Sequence, residues 1–302
     1  MRVVWCAHLY PPGGAAGAEW TAHEFLLACQ RRGHTVEVYN PAQRLPYEFE
    51  GVPVTSHPPR RVDVCIGHLS AYRTFTAVAN RTKAFRVWMV HGPLQSAGRE
   101  ADLIVANSKA LQAENPGSVL LRPHSPAYRY EQGRRGEMVT LVNLSQWKGA
   151  HILARLVELL PTVGFLGVRG AWDEQQWRRG RYQNLTVWDT QPVFATVLAA
   201  TRIMICPSRA ESWGRVAVEA GHRGIPSVCT PTIGFAESMA NDALYHSQAD
   251  PHAWADEVER LLDDPAWYAQ WARKAQRRSR YVEQLTRKDA DRVITRLEEA
   301  CA

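Results

Sequence analysis

Two glutamates carry the first chemical signal in this chain. In the run Pro207-Ser208-Arg209-Ala210-Glu211-Ser212-Trp213-Gly214-Arg215-Val216-Ala217-Val218-Glu219-Ala220-Gly221, seven residues separate Glu211 from Glu219. Glu211 follows an apolar strand-like stretch, Ile203–Cys206, while Glu219 falls inside an apolar helical run. A buried carboxylate is costly unless it is partnered. Ribose hydroxyls of a ligand would satisfy Glu219; a structural ion pair with Arg215 or Arg223 is the alternative. If Gly214 opens the helix, the backbone N–H groups of Ser212, Trp213, Gly214 and Arg215 aim at an anion, with the helix dipole behind them.

Three further places have residue types suited to the same chemistry. Asn143-Leu144-Ser145-Gln146-Trp147-Lys148-Gly149 joins a strand to a helix, and Lys148 there could hold a phosphate as a point charge or stand solvated. His91 ends a strongly apolar strand and so faces the ligand side of a sheet; alone, it reads equally as a hydrogen-bonded structural histidine. The loop Pro11–Glu19 contains Gly13 and Gly14, small enough for close backbone approach to a ligand, or for a plain flexible turn. It lacks the GxGxxG dinucleotide fingerprint.

These residues need strand ends to position them. Arg2–Leu9, Thr35–Asn40, Val62–Gly67, Phe85–His91, Leu103–Ala106 and Ser118–Arg122 read as strands, with a helix over Ala18–Arg32 stopped by Gly33. Met138–Leu144, Val163–Val168, Leu185–Trp188, Ile203–Cys206, Ser227–Cys229 and Ala243–Tyr245 begin the alternation again. Repeated βαβ units imply parallel sheets covered by helices, with ligands past the C-terminal strand ends. The polar stretch His124–Glu137 reads as the linker between two domains, 1–130 and 131–302. From His252 onward the chain reads as helix, broken near Pro265, and the last helix could pack back on the first domain.

Composition narrows the class. The 302 residues are 45% hydrophobic, with no apolar run long enough to span a bilayer and no signal-peptide pattern, so a soluble cytoplasmic protein is expected. The net charge of +6 lies wholly in residues 1–136, which hold 16 basic against 10 acidic side chains. That excess suits an acidic partner such as DNA or an anionic surface, or is ordinary surface charge. The six cysteines form no C-x-x-C pair and are expected as free, mostly buried thiols.

The stretch from Ile205 to Glu237 resembles the donor-site signature of glycosyltransferase family four: Pro-Ser, the E-x7-E pair, then Gly224-x-Pro226. Asn143–Gly149 is similar to that family's G-R-L-x-x-x-K-G, with Lys148-Gly149 in place and Asn143 where an arginine is usual. Gly13-Gly14, His91 and Asn107-Ser108 fall in matching order. The resemblance implies an α/β chain of the GT-B kind, two doubly wound Rossmann-like domains facing across a cleft. It implies a retaining, metal-independent hexosyltransferase that takes sugar from a nucleotide-diphosphate sugar, UDP- or GDP-linked by preference, with no further cofactor. Lys148 would contact the pyrophosphate, Glu219 the ribose, Glu211 the transferred sugar, and His91 would lie beside the reacting centre. Gly13 and Gly14 would approach the phosphate or sugar. With Asn143 in the arginine's place, Arg215, Arg169 or Arg209 would assist the diphosphate. The acceptor stays open among a small molecule, a lipid, a protein and a hydroxylated DNA base. A nucleotide-sugar epimerase or hydrolase, or a basic nucleic-acid-binding protein, are the competing classes.

Overall fold

The computed structural model describes residues 1–13, 16–92, 100–130, 136–171, 173–177, 180, 182–191 and 193–302. Gly14 therefore lies outside the described residues. The chain divides into two compact units, Met1–His124 with Leu285–Ala302, and Ser125–Gln284.

The first unit is built on an eight-stranded sheet. In chain order its strands are β1 (Arg2–Cys6), β2 (Thr35–Tyr39), β3 (Tyr47–Phe49), β4 (Val52–Thr55), β5 (Val64–His68), β6 (Phe85–Val90), β7 (Leu103–Ala106) and β8 (Val119–Leu120). They lie in the order β3-β4-β2-β1-β5-β6-β7-β8, all parallel except the β3–β4 pair. Glu50 and Gly51, both at positive φ, turn that hairpin. The helices α1 (Gly17–Arg31), α2 (Tyr72–Thr82) and α3 (Lys109–Glu114) connect the parallel strands.

The second unit has a six-stranded, all-parallel sheet. Its strands are β9 (Met138–Val142), β10 (Phe165–Val168), β11 (Leu185–Trp188), β12 (Thr201–Cys206), β13 (Ser227–Cys229) and β14 (Leu244–Tyr245), ordered β11-β10-β9-β12-β13-β14. The connecting helices are α4 (Ala150–Leu159), α5 (Phe194–Ala200), α6 (Arg215–His222) and α7 (Ile233–Ser238), followed by α8 (Pro251–Asp263) and α9 (Pro265–Ala300). The strand order reverses between β9 and β12. In a doubly wound sheet the loops leaving those two strands diverge there and open a crevice.

The boundary falls after His124 instead of residue 130, and the last helix, expected to pack back on the first domain, is shared between the two units. Residues 125–130 belong to the second unit because Tyr130 is buried in its core with Trp213, Ala217 and Phe235. The end of α9 belongs to the first unit because Ala290, Val293, Ile294 and Leu297, on one helical face, join the core around Trp5, Phe25 and Val36. Asp289 reinforces this with a two-pronged ion pair to buried Arg122, at 2.7 and 3.1 Å. All six cysteines are free, and Cys301 is the exposed one. No described helix is long and apolar enough to cross a membrane.

Candidate active site

The reversal point of the second sheet gathers the charged residues. After β9, Asn143 takes a left-handed backbone, φ 69°. Its Oδ1 accepts from Ser145 N at 3.1 Å and from Gln175 Nε2 at 3.0 Å. That oxygen is committed to folding the loop. The loop closes on Gly149, the N-cap of α4, at φ 83°. A Cβ there would lie 2.2 Å from the Pro207 carbonyl oxygen. Only glycine lets the start of α4 approach the exit of β12 this closely.

That approach brings Lys148 to Glu211. Lys148 Nζ lies 2.5 Å from Glu211 Oε1, and Ser208 Oγ donates to the same oxygen at 2.8 Å. Ser208 is itself placed by Thr230, whose hydroxyl donates to the Ser208 carbonyl at 2.7 Å. Gly234 N donates to the Glu211 carbonyl at 3.0 Å and fixes the backbone. Both charged side chains keep some solvent exposure, 30% for Lys148 and 16% for Glu211. Glu211 also lines an open 360 Å³ pocket with Arg209, Thr232, Ile233 and Gln248.

Gly214, at φ 79°, caps α6, and a Cβ on it would strike the Phe235 ring. Trp213, expected at the donor site, points into the core. Ser212 is half-buried beside it. Arg215 opens α6 and reaches one turn on to pair through Nε with Glu219 Oε1. Tyr130 OH donates to that same Oε1 at 3.0 Å, and Arg215 Nη2 donates to the Tyr130 oxygen at 3.1 Å. The ion pair with Arg215 left open by the sequence is thus present. Burial, and then the negative charge of Glu219, push the Tyr130 phenol up. Burial alone would lower the Arg215 guanidinium, but Tyr130 and Glu219 carry it upward. The Glu219 carboxylate is therefore held by a lasting cation and a neutral phenol.

The two glutamates share one pattern. Each gives Oε1 to protein donors, and among the described residues neither Oε2 has a hydrogen-bond partner. Each presents one acceptor oxygen suited to a hydroxyl. Of the other candidate arginines, Arg169 is taken up by Asp189 and the Trp177 carbonyl. Arg209 stays exposed over the Trp147 ring.

In the first unit, the sheet order reverses between β1 and β5, and the strand ends there carry histidines. His91 Nδ1 receives the Asn107 amide N–H at 3.4 Å, leaving its Nε2–H to donate to His68 Nδ1 at 3.3 Å. Burial pushes His91 down to about 4, and burial with the neighbouring His91 and His8 lowers His68 well below its ordinary value. Both rings are neutral at physiological pH. Gly13 is exposed, with open space where a Cβ would be, next to a bridge with Tyr10. The sequence reading missed His68, Ser208 and Tyr130. His68 ends an apolar strand as His91 does, so the same signal marks it; nothing in the polar stretch around Tyr130 singles out that residue.

Residues 136–278 match the family model of glycosyl transferases group 1. The matched segment lies inside the second unit and contains Lys148, Glu211 and Glu219. Among solved structures, sucrose-phosphate synthase from Thermosynechococcus elongatus superposes with a TM-score of 0.78 at 14% identity, over 99% of both chains. Anabaena HepE, solved with UDP and glucose, gives 0.73 at 17% identity, over 96% of this chain and 98% of that one. These likenesses establish the fold: the chain is an α/β protein of the GT-B kind, with two Rossmann-like domains. A D-inositol 3-phosphate glycosyltransferase of Pseudarthrobacter chlorophenolicus is 35% identical over 88 residues, 28% of this chain and 21% of that enzyme. The match thus spans about a fifth of that relative's own length.

Proposed function

We propose that this protein is a retaining glycosyltransferase that moves a hexose from a nucleotide-diphosphate sugar to a hydroxyl acceptor. The observation that carries the reading is the Lys148–Glu211 contact at the reversal point of the second sheet, one helix away from Glu219. Lys148 supplies a cation for the donor's diphosphate, and the positive end of the α6 dipole adds to it. Together they stabilise the charge that develops on the leaving diphosphate, without a metal. The open Oε2 of Glu211 accepts from a hydroxyl of the transferred sugar, and that of Glu219 from the ribose. His91 and Gly13, in the first unit, keep the roles that the resemblance implies for them. Arg215 serves Glu219 first.

UDP and GDP are the favoured donor nucleotides, and the family match together with HepE's complex with UDP and glucose supports looking there first. The test is a thermal-shift screen against UDP-, GDP-, ADP- and TDP-sugars, because a bound donor raises stability by mass action. One nucleotide class should raise the unfolding midpoint, and Lys148→Ala should remove that rise. No shift with any donor would end the reading. Incubation with donor alone separates transfer from hydrolysis or epimerisation, since a transferase leaves the sugar unaltered until an acceptor is added.

A further inference from the structure

We propose that Tyr130 and Arg215 are positioning residues that hold Glu219 by one oxygen so that the other is presented to the cis-diol of a bound ribose. The proposal rests on the reading of Glu219 as the ribose contact and adds the device that makes the contact selective.

The argument begins with the cost of the arrangement. Glu219 is 6% exposed and Arg215 9%, and burying an ion pair is costly unless its geometry and further hydrogen bonds repay the lost water; here Arg215 Nη1 also has no partner among the described residues. Here both protein donors converge on Oε1, the Arg215 Nε–H and the Tyr130 O–H. A purely structural pair would gain from spreading them over both oxygens, as Arg122 does with Asp289, where Nε meets Oδ2 and Nη2 meets Oδ1. Leaving Oε2 open costs the pair its second prong and keeps an acceptor with two lone pairs, enough for both hydroxyls of a diol. A carboxylate oxygen repels phosphate, so the complementary group is a hydroxyl donor.

Tyr130 is itself anchored. Its ring stacks on His222 at 13° with 6.0 Å between centroids, and His222 Nε2–H donates to the Ser125 carbonyl at 2.7 Å. Its backbone N–H is bonded to the Ala127 carbonyl at 2.9 Å. A glutamate free to rotate would lose rotamer freedom on binding; one already held does not, and its discrimination for hydroxyls sharpens accordingly.

The experiment is calorimetric titration with UDP and GDP and with their 2′-deoxy analogues, on the wild type and on Glu219→Gln, Tyr130→Phe and Arg215→Lys. The wild type should prefer the ribonucleotide by roughly tenfold, the worth of one hydrogen bond to a charged group. Tyr130→Phe should reduce that ratio to below about threefold while affinity for the deoxynucleotide stays the same. Arg215→Lys should do likewise, and it decides the matter if Tyr130→Phe does not fold. A wild-type ratio in both folded variants, beside a collapsed ratio in Glu219→Gln, overturns the positioning role and leaves the ribose contact standing. An unchanged ratio in Glu219→Gln, or no nucleotide binding by the wild type, overturns the ribose reading and this proposal with it.

Discussion

Lys148 Nζ and Glu211 Oε1 are 2.5 Å apart although 63 positions separate the two residues in sequence. The closeness depends on Gly149 letting α4 start against Pro207. The pair keeps some solvent exposure, so its contribution to stability is small, under about 1 kcal/mol. Lys148→Ala and Glu211→Ala should therefore shift the unfolding midpoint by only a few degrees, as a rough expectation. Transfer should fall by roughly 100-fold or more in each, the size of effect seen when one electrostatic stabiliser is removed. Product formation and a thermal melt on the same samples check both halves; undiminished turnover in the two variants refutes the site.

Gly149→Ala and Gly214→Ala should be destabilising in a way that surface glycines are not. Each sits at positive φ, 83° and 79°, which costs an L residue about 1–2 kcal/mol. At Gly149 the new Cβ meets a backbone carbonyl, and at Gly214 the Phe235 ring. Overpacking adds about 1–3 kcal/mol. Urea unfolding should show both losses. Gly117→Ala is the control: φ is 85°, yet open space surrounds the new Cβ, so only the backbone cost should appear.

Stability should fall in acid because of the histidine pair. His91 titrates near 4 when folded against an ordinary value of 6.5, and His68 is lowered as well. Between those values the unfolded chain binds protons that the folded one refuses. The contribution is complete above about pH 6.5, declines as pH drops towards 4, and has no further to fall below that. For partly exposed His91 the loss is on the order of 2 kcal/mol. Denaturant melts from pH 7 to pH 4 should show the decline, and His91→Asn should flatten part of it. Equal slopes in the two proteins would contradict the assignment.

Removing Asp289 should cost far more than removing its neighbour Asp291. Asp289 is 1% exposed and pairs with buried Arg122, so Asp289→Ala strands a buried guanidinium at a cost of about 3–5 kcal/mol. Asp291 is largely exposed and 4.0 Å from Arg32, and its loss should be near neutral. Paired urea titrations of the two variants measure the contrast.

The sequence made the parallel sheets legible because their strands are continuous apolar runs, buried on both faces, with polar residues at their C-terminal ends. The same end-of-strand rule is what singles out Lys148, Glu211 and His91 as candidates. The hairpin Tyr47–Phe49 with Val52–Thr55 was passed over: its strands are short, and Pro53 argues against a strand except at an edge. Tyr130 was hidden because what gives it meaning is Glu219, 89 positions on, and only the folded chain brings them together. The docking of the last helix on the first domain is legible as a possibility, but the charges between Ala290, Val293, Ile294 and Leu297 hide which face docks. The commitment of Arg215 to Glu219 was readable from their spacing of one helical turn, but spacing could not say which carboxylate oxygen remained open.

The split membership of α9 has a consequence for how the chain acquires its structure during synthesis. Residues 125–284 form a continuous segment that can reach its native contacts as soon as it has left the ribosome. The first 124 residues emerge earlier, yet Val293, Ile294 and Leu297, which complete their core, are translated only after the whole second unit. The unit that is made first therefore finishes folding last. Until then its apolar sheet face is exposed to chaperones, to proteases and to other nascent chains.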